Sequence, residues 1–187
     1  TEISWIYLSS LAENSLPYHH QIADFLKNHP DTKLAFQPGT FQMRLGTEAL
    51  KEIYERTEIF FCNFEEAERI LNIQSKDVKT LFDGLHKLGP KIICISDGPN
   101  GAYASDGENI WYIPMYPDQA NPVDRTGAGD AFSSTFTSAI ALGKNVEEAL
   151  SWGPINSMSV VHYVGAQEGL LPRAKLEELL KNAPEEY

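Results

Sequence analysis

Residues 123–132 read Val123-Asp124-Arg125-Thr126-Gly127-Ala128-Gly129-Asp130-Ala131-Phe132, and the rest of the chain is organised around them. Before this stretch the pattern alternates between strands and helices. After it, nearly everything reads as helix. Gly127, Ala128 and Gly129 are small, so the backbone can turn tightly and bare its N–H groups. Ala131 to Leu142 is expected to be helical, which puts the small-residue loop at a helix N-terminus. Unpartnered N–H groups and the positive end of the helix dipole make such a place ready to take an anion. Asp130 falls in the first turn and has two readings. It is either an acid that complements the dipole, or a carboxylate beside an anion cradle, placed to take a proton from a hydroxyl attacking a phosphate. Taken alone, Gly-Ala-Gly-Asp does not choose between them. It is half of G-x-G-x-x-G, but Phe132 stands where the third glycine belongs, which argues against a Rossmann-type NAD oxidoreductase. No G-K-[ST] is present, so a P-loop is excluded.

Composition narrows the possibilities. The 187 residues suffice for one domain with a substantial core, and 42% are hydrophobic, as in ordinary globular proteins. The net charge is −11 and the isoelectric point about 4.8. An acidic surface disfavours nucleic-acid backbones and anionic membranes as partners. No apolar run reaches the roughly 18 residues that would span a bilayer, and Thr1 to Ser10 has no basic segment of the kind that opens a signal peptide. Cys62 and Cys94 both sit in apolar, strand-like runs, which predicts buried free thiols in a cytoplasmic protein. The chain opens directly on an apolar strand and without Met, so residue 1 is not expected to be the natural start.

In chain order, Ile3–Ser9 is expected as a buried strand and Pro17–Lys27 as an amphipathic helix. Lys33–Phe36 follows as a second strand, and Thr47 is expected to cap a helix reaching Arg56. Glu58–Cys62 is a third strand. Next come Asn63 and Glu66, spaced as a helix cap and a first-turn acid. Asp77–Leu88 has a wide apolar stripe and predicts a helix, stopped by Gly89-Pro90. Lys91–Ile95 is a fourth strand, and Ser96–Gly101 a glycine-containing turn. Ala102–Ser105 and Asn109–Ile113 are expected to pair across Asp106-Gly107. A loop over Met115–Pro122 delivers the chain to the signature. After the Ala131 helix come helices from Val146 to Tyr163 and from Pro172 to Lys181, the last with proline at its first position. Asn156 reads as a polar helix residue, and His19 and His20 as structural or solvated, with no metal-like spacing. This order predicts an α/β domain with a mostly parallel sheet and right-handed crossovers. Ligands would gather at the C-terminal edge of such a sheet.

The longer string Asp-Arg-Thr-Gly-Ala-Gly-Asp-Ala-Phe resembles the C-terminal signature of the ribokinase-like (PfkB) carbohydrate kinases. The resemblance implies a three-layer α/β/α fold and an ATP-dependent kinase acting on a hydroxyl of a small sugar or nucleoside. It implies Asp130 as the catalytic base, with Gly127, Ala128 and Gly129 forming the anion hole. Asn63 and Glu66 match the family's Asn-x-x-Glu, whose Glu organises Mg²⁺ and its waters. Ser96, Gly98 and Gly101 match an element that approaches the nucleotide. Asp124, Thr126 and Gly165 match positions around a monovalent cation such as K⁺, and Thr126 counts among the cofactor-binding residues as well. Relatives often carry Thr at the position of Arg125 and Ser at that of Gly169, and Asn156 lies off the position used for adenine. The resemblance runs over nearly the whole of residues 1–187, as one ribokinase-like domain. It covers only the C-terminal, nucleotide-binding part of such a kinase, without the N-terminal signature, the lid and most sugar-binding residues. The expectation is therefore a fragment or half of a split kinase, inactive alone, with an exposed sheet edge and apolar patch inviting a missing N-terminal half or a second copy. A noncatalytic nucleotide-binding or interaction module is the other reading.

Overall fold

The computed structural model describes residues 3–117, 120–185 and 187. In chain order it has β1 (Trp5–Leu8), α1 (Leu16–Asn28), β2 (Lys33–Phe36), α2 (Thr40–Ala49), α3 (Lys51–Arg56), β3 (Thr57–Asn63), α4 (Phe64–Leu71), α5 (Val78–His86) and β4 (Ile92–Ser96). A 3₁₀ turn at Gly98–Asn100 follows, then β5 (Ala102–Ser105), β6 (Ile110–Ile113), α6 (Ala128–Ala141), α7 (Val146–Val160) and α8 (Arg173–Lys181). The strands form one open sheet in the order β1-β2-β3-β4-β5-β6. It is mixed. β1 pairs parallel with β2 in the register Trp5 to Lys33 through Leu8 to Phe36, and β2 pairs parallel with β3, with an irregularity at Leu34/Ala35. β5 and β6 are joined by four residues, too few for a parallel crossover. The α/β class expected from the sequence is the one found.

The chain divides into two compact units. The first comprises Thr1–Ile95 with Ser105–Ile110. Its interior is built from the apolar faces of β2, β3, β4, α1, α3 and α5, with Leu26, Leu34, Phe36, Ile53, Phe60 and Leu85 fully buried. The rings of Phe36 and Tyr54 meet edge-on at 5.5 Å, a favoured aromatic arrangement. Cys62 and Cys94 are free and buried, as expected. Burial pushes both thiols up, so neither is a reactive thiolate. The second unit comprises Ser96–Ala104 with Trp111–Tyr187. Here α6 lies against α7, and α7 against α8. Phe136, Ala139, Ala149, Ile155 and Val160 are completely buried there.

Several boundaries differ from expectation for local reasons. Helix begins at Thr40 rather than Thr47, and Gly46, with φ 83° and ψ 165°, breaks it internally. α6 begins at Ala128 rather than Ala131, with Gly127 in the left-handed conformation as its N-cap. α7 stops at Val160, and Pro172 is the residue before α8 rather than its first. His19 is buried and partnered: Nδ1 lies 2.7 Å from the Ser15 carbonyl and Nε2 3.0 Å from Gln42 Nε2. Of the expected Met115–Pro122 loop, residues 118 and 119 lie outside the described residues. Among the described residues, no helix is long and apolar enough to cross a membrane.

Candidate functional site

In the second unit, the signature stretch forms the approach to α6 and its first turn. Gly127 is the N-cap with φ 82°, a left-handed conformation that glycine adopts without a Cβ penalty. Ala128, Gly129 and Asp130 are then the first three helical residues. In that turn an α-helix has no carbonyls of its own to offer the N–H groups, and the dipole is positive there; the Ala128 N–H turns back to the Arg125 carbonyl at 3.3 Å. The Gly127 carbonyl accepts the Ala131 N–H at 2.8 Å, closing the first helical turn. Asp130 is exposed, and its carboxylate is carried on rigid helix rather than on a loop.

The approach is fastened to the segment after α7. The Val161 carbonyl accepts the N–H groups of Val123 (2.7 Å) and Asp124 (3.2 Å). The Asp124 carboxylate accepts the N–H of Thr126 through Oδ1 and of Gly165 through Oδ2, each at 2.9 Å. The Gly165 amide, then the Thr126 amide and hydroxyl, hold its carboxyl below the usual carboxylate range. Thus Asp124, Thr126, Gly127 and Gly165, all singled out in the sequence, meet in one place. Gly169 closes the same segment. Its carbonyl accepts the Ser159 hydroxyl at 2.7 Å, and a Cβ added there would lie 2.4 Å from the Ser159 carbonyl oxygen. A serine at this position would not fit without rearrangement.

Ser96 ends β4, and the turn after it is held from within: Asp97 N–H donates to the Gly101 carbonyl at 2.9 Å. Gly98 and Gly101 both have positive φ. A Cβ on Gly101 would fall 2.2 Å from the Ile113 carbonyl oxygen. The Tyr112 hydroxyl donates to the Asn100 carbonyl at 3.0 Å. Both glycines therefore have a structural reason in the turn itself.

In the first unit, Asn63 ends β3 and caps α4. Its Oδ1 accepts the Glu66 N–H, and Glu66 Oε2 accepts the Asn63 N–H, both at 2.8 Å. This is a reciprocal capping box. It uses one carboxylate oxygen of Glu66, which is half-buried. Among the described residues, no three His, Cys, Asp or Glu side chains gather to hold a metal.

The sequence did not single out Ser157 or the bonds of Asn156. The Ser157 hydroxyl donates to the Ala128 carbonyl at 2.7 Å. Asn156 is buried, donates to Thr135 Oγ1 at 2.7 Å and accepts the Leu171 N–H at 3.0 Å. These are contacts across helices, with no local pattern to announce them.

The sequence pattern of the pfkB family carbohydrate kinases matches residues 5–174. The chain belongs to that family. Two curated family relatives illustrate the likeness. An uncharacterized sugar kinase of Archaeoglobus fulgidus is 30% identical over 141 residues, covering 75% of this chain and 54% of its own. The ribokinase of Bacillus subtilis is 40% identical over 93 residues, covering 50% of this chain and 31% of its own. The chain thus spans about half the length, or less, of these curated relatives. The structure of Arabidopsis thaliana ribokinase complexed with ribose and ATP superposes with a TM-score of 0.79 at 23% identity, covering 95% of this chain and 56% of that one. That likeness shows the family fold.

Proposed function

We propose that this chain is the nucleotide-binding part of an ATP-dependent kinase that phosphorylates a hydroxyl of a small sugar or nucleoside. The observation that carries the reading is the first turn of α6, with Gly127 in the left-handed cap and Asp130 as the third helical residue. Family membership supports it. Asp130 takes the proton of the acceptor hydroxyl as its oxygen attacks the terminal phosphorus, and the bond to the nucleoside diphosphate breaks. The Gly129 amide and the positive end of α6 face the charge on the phosphoryl oxygens, while the Ala128 amide is held by the Arg125 carbonyl. Catalysis of this kind rests on positioning and electrostatics. The whole protein selects the acceptor; this part holds the nucleotide, with the Ser96–Gly101 turn as a further contact.

The residues fit a magnesium ion. Mg²⁺ is commonly held by one carboxylate, waters and substrate phosphates, and Glu66 keeps one oxygen outside its capping box. A bound Mg²⁺ would neutralise phosphate charge. The residues fit K⁺ less well. Both oxygens of Asp124 already accept backbone N–H groups, and Gly169 supplies no side-chain oxygen to a monovalent cation.

The test is calorimetric titration of the 187-residue chain with ATP, together with ADP release in the presence of ribose or adenosine, for the wild type and Asp130→Asn. Retained ATP binding with phosphoryl transfer lowered by a factor of about 10² to 10⁴ in the variant is expected if transfer is measurable. Binding without transfer by the wild type favours the noncatalytic or split-kinase reading. Equal transfer by both proteins removes the base role, and no ATP binding removes the nucleotide reading.

A further inference from the structure

We propose that Ser157 is a positioning residue for the anion cradle, acting through the peptide unit that joins Ala128 to Gly129. The inference rests on the nucleotide-binding reading above and adds to it a residue on a different helix. Ser157 is 6% exposed and stands near the end of α7. Its hydroxyl donates to the Ala128 carbonyl at 2.7 Å. That carbonyl and the Gly129 N–H belong to one planar peptide unit, so a bond that fixes the carbonyl also fixes the direction of the N–H. The carbonyl points along α6, and the N–H points out of its N-terminus, where the phosphoryl oxygens would lie.

The bond acts electrically as well. A donor on the carbonyl oxygen draws electron density through the amide, and the N–H becomes a stronger donor, as in hydrogen-bond chains. Ser157 therefore orients and polarises a cradle donor without touching the ligand. Its surroundings leave the first turn little freedom. Val161, the residue that caps the C-terminus of α7, holds the N–H groups of Val123 and Asp124 through its carbonyl. Ala166 lies directly under Gly127. The end of α7 and the segment after it thus grip the signature before, at and after its left-handed glycine.

The ligand class is a nucleoside triphosphate recognised through its terminal phosphate. The test uses the 187-residue chain, with Ser157→Ala and Ser157→Thr. ATP and AMP are titrated into each protein, and the Gly129 amide is followed by ¹H–¹⁵N NMR. Ser157→Ala is expected to weaken ATP about fivefold to tenfold, the scale of one weakened hydrogen bond to a charged group, and to leave AMP within about twofold. Its Gly129 resonance should move, and Ser157→Thr should restore both. An equal loss of ATP and AMP affinity, as from general loosening, would overturn the proposal. So would an unmoved Gly129 resonance in Ser157→Ala, whether or not ATP binds. If the wild type binds no nucleotide, the functional reading fails, while the Gly129 resonance still decides whether Ser157 governs that peptide.

Discussion

Gly127 and Ala166 meet so closely that a Cβ built on the glycine would lie 2.5 Å from the alanine's Cβ and 2.7 Å from its Cα. The glycine is also at φ 82°. Two separate costs thus fall on any side chain here. The left-handed conformation costs roughly 1–2 kcal/mol for an L-residue, and the contact requires backbone to move. Gly127→Ala should lower Tm by about 3–8 °C, at 2–4 °C per kcal/mol for a chain of this size, and abolish ATP binding. Differential scanning calorimetry and titration measure the two effects. An unchanged affinity would mean that the first turn of α6 does not form the cradle.

Asn156 makes a comparable prediction for stability alone. Its side chain spans α6 and the approach to α8, bonding Thr135 Oγ1 and the Leu171 N–H. Asn156→Ala leaves a buried hydroxyl and a main-chain N–H to find other partners, costing about 1–3 kcal/mol for each group left unsatisfied. Urea unfolding should show a loss of about 2–6 kcal/mol, the sum for the two groups, with an unchanged m-value. A loss under 1 kcal/mol would show that water replaces the amide.

What the sequence disclosed, and what it hid, divides along physical lines. Asn63 with Glu66 was legible as a cap because both partners lie within one turn, and the capping box is there. The hairpin at Asp106-Gly107 was legible for the same reason. The start of α6 was misplaced because Gly-Ala-Gly reads locally as loop. In the fold Ala166 packs against Gly127, and Ser157 bonds the Ala128 carbonyl, so this first turn has partners that lie far from it in sequence. The break at Gly46 within α2 was likewise missed, since a glycine inside a helical pattern carries no mark of whether it bends the chain. The catalytic candidate was found through resemblance; the groups that hold it in place come from another helix, and no spacing reveals them.

Acid should act on Glu58. Glu58 lies on β3, 2.9 Å from Lys91 and 3.5 Å from Lys33. Burial pushes its carboxyl up, but the hydrogen bond and charge of Lys91, joined by Lys33, outweigh that and hold it below its ordinary value. A carboxyl lowered by folding contributes its stability above the unfolded pKa, near 4.3 for Glu. It loses that stability as pH falls through the folded value. Glu58→Gln should therefore destabilise the protein by about 1 kcal/mol at pH 7 and by much less at pH 3. Urea unfolding at the two pH values checks this. A gap of the same size at both would show that packing, not charge, is what the substitution removes.

The two roles assigned to Glu66 can be separated because glutamine serves equally well in a capping box. Glu66→Gln keeps an acceptor for the Asn63 N–H, whose present distance to Oε2 is 2.8 Å, and removes the charge. Stability should change by less than about 0.5 kcal/mol, the usual range for substitutions that break no structural bond. Asn63→Ala does the reverse: it deletes the cap at a cost of about 1 kcal/mol and leaves the carboxylate. If Glu66 holds Mg²⁺ through water, titration of ATP with and without Mg²⁺ should show the metal's contribution fall in Glu66→Gln and persist in Asn63→Ala. If instead the two variants respond to Mg²⁺ alike, Glu66 is a cap and nothing more, and the metal must be held by phosphate oxygens and groups elsewhere in the whole protein.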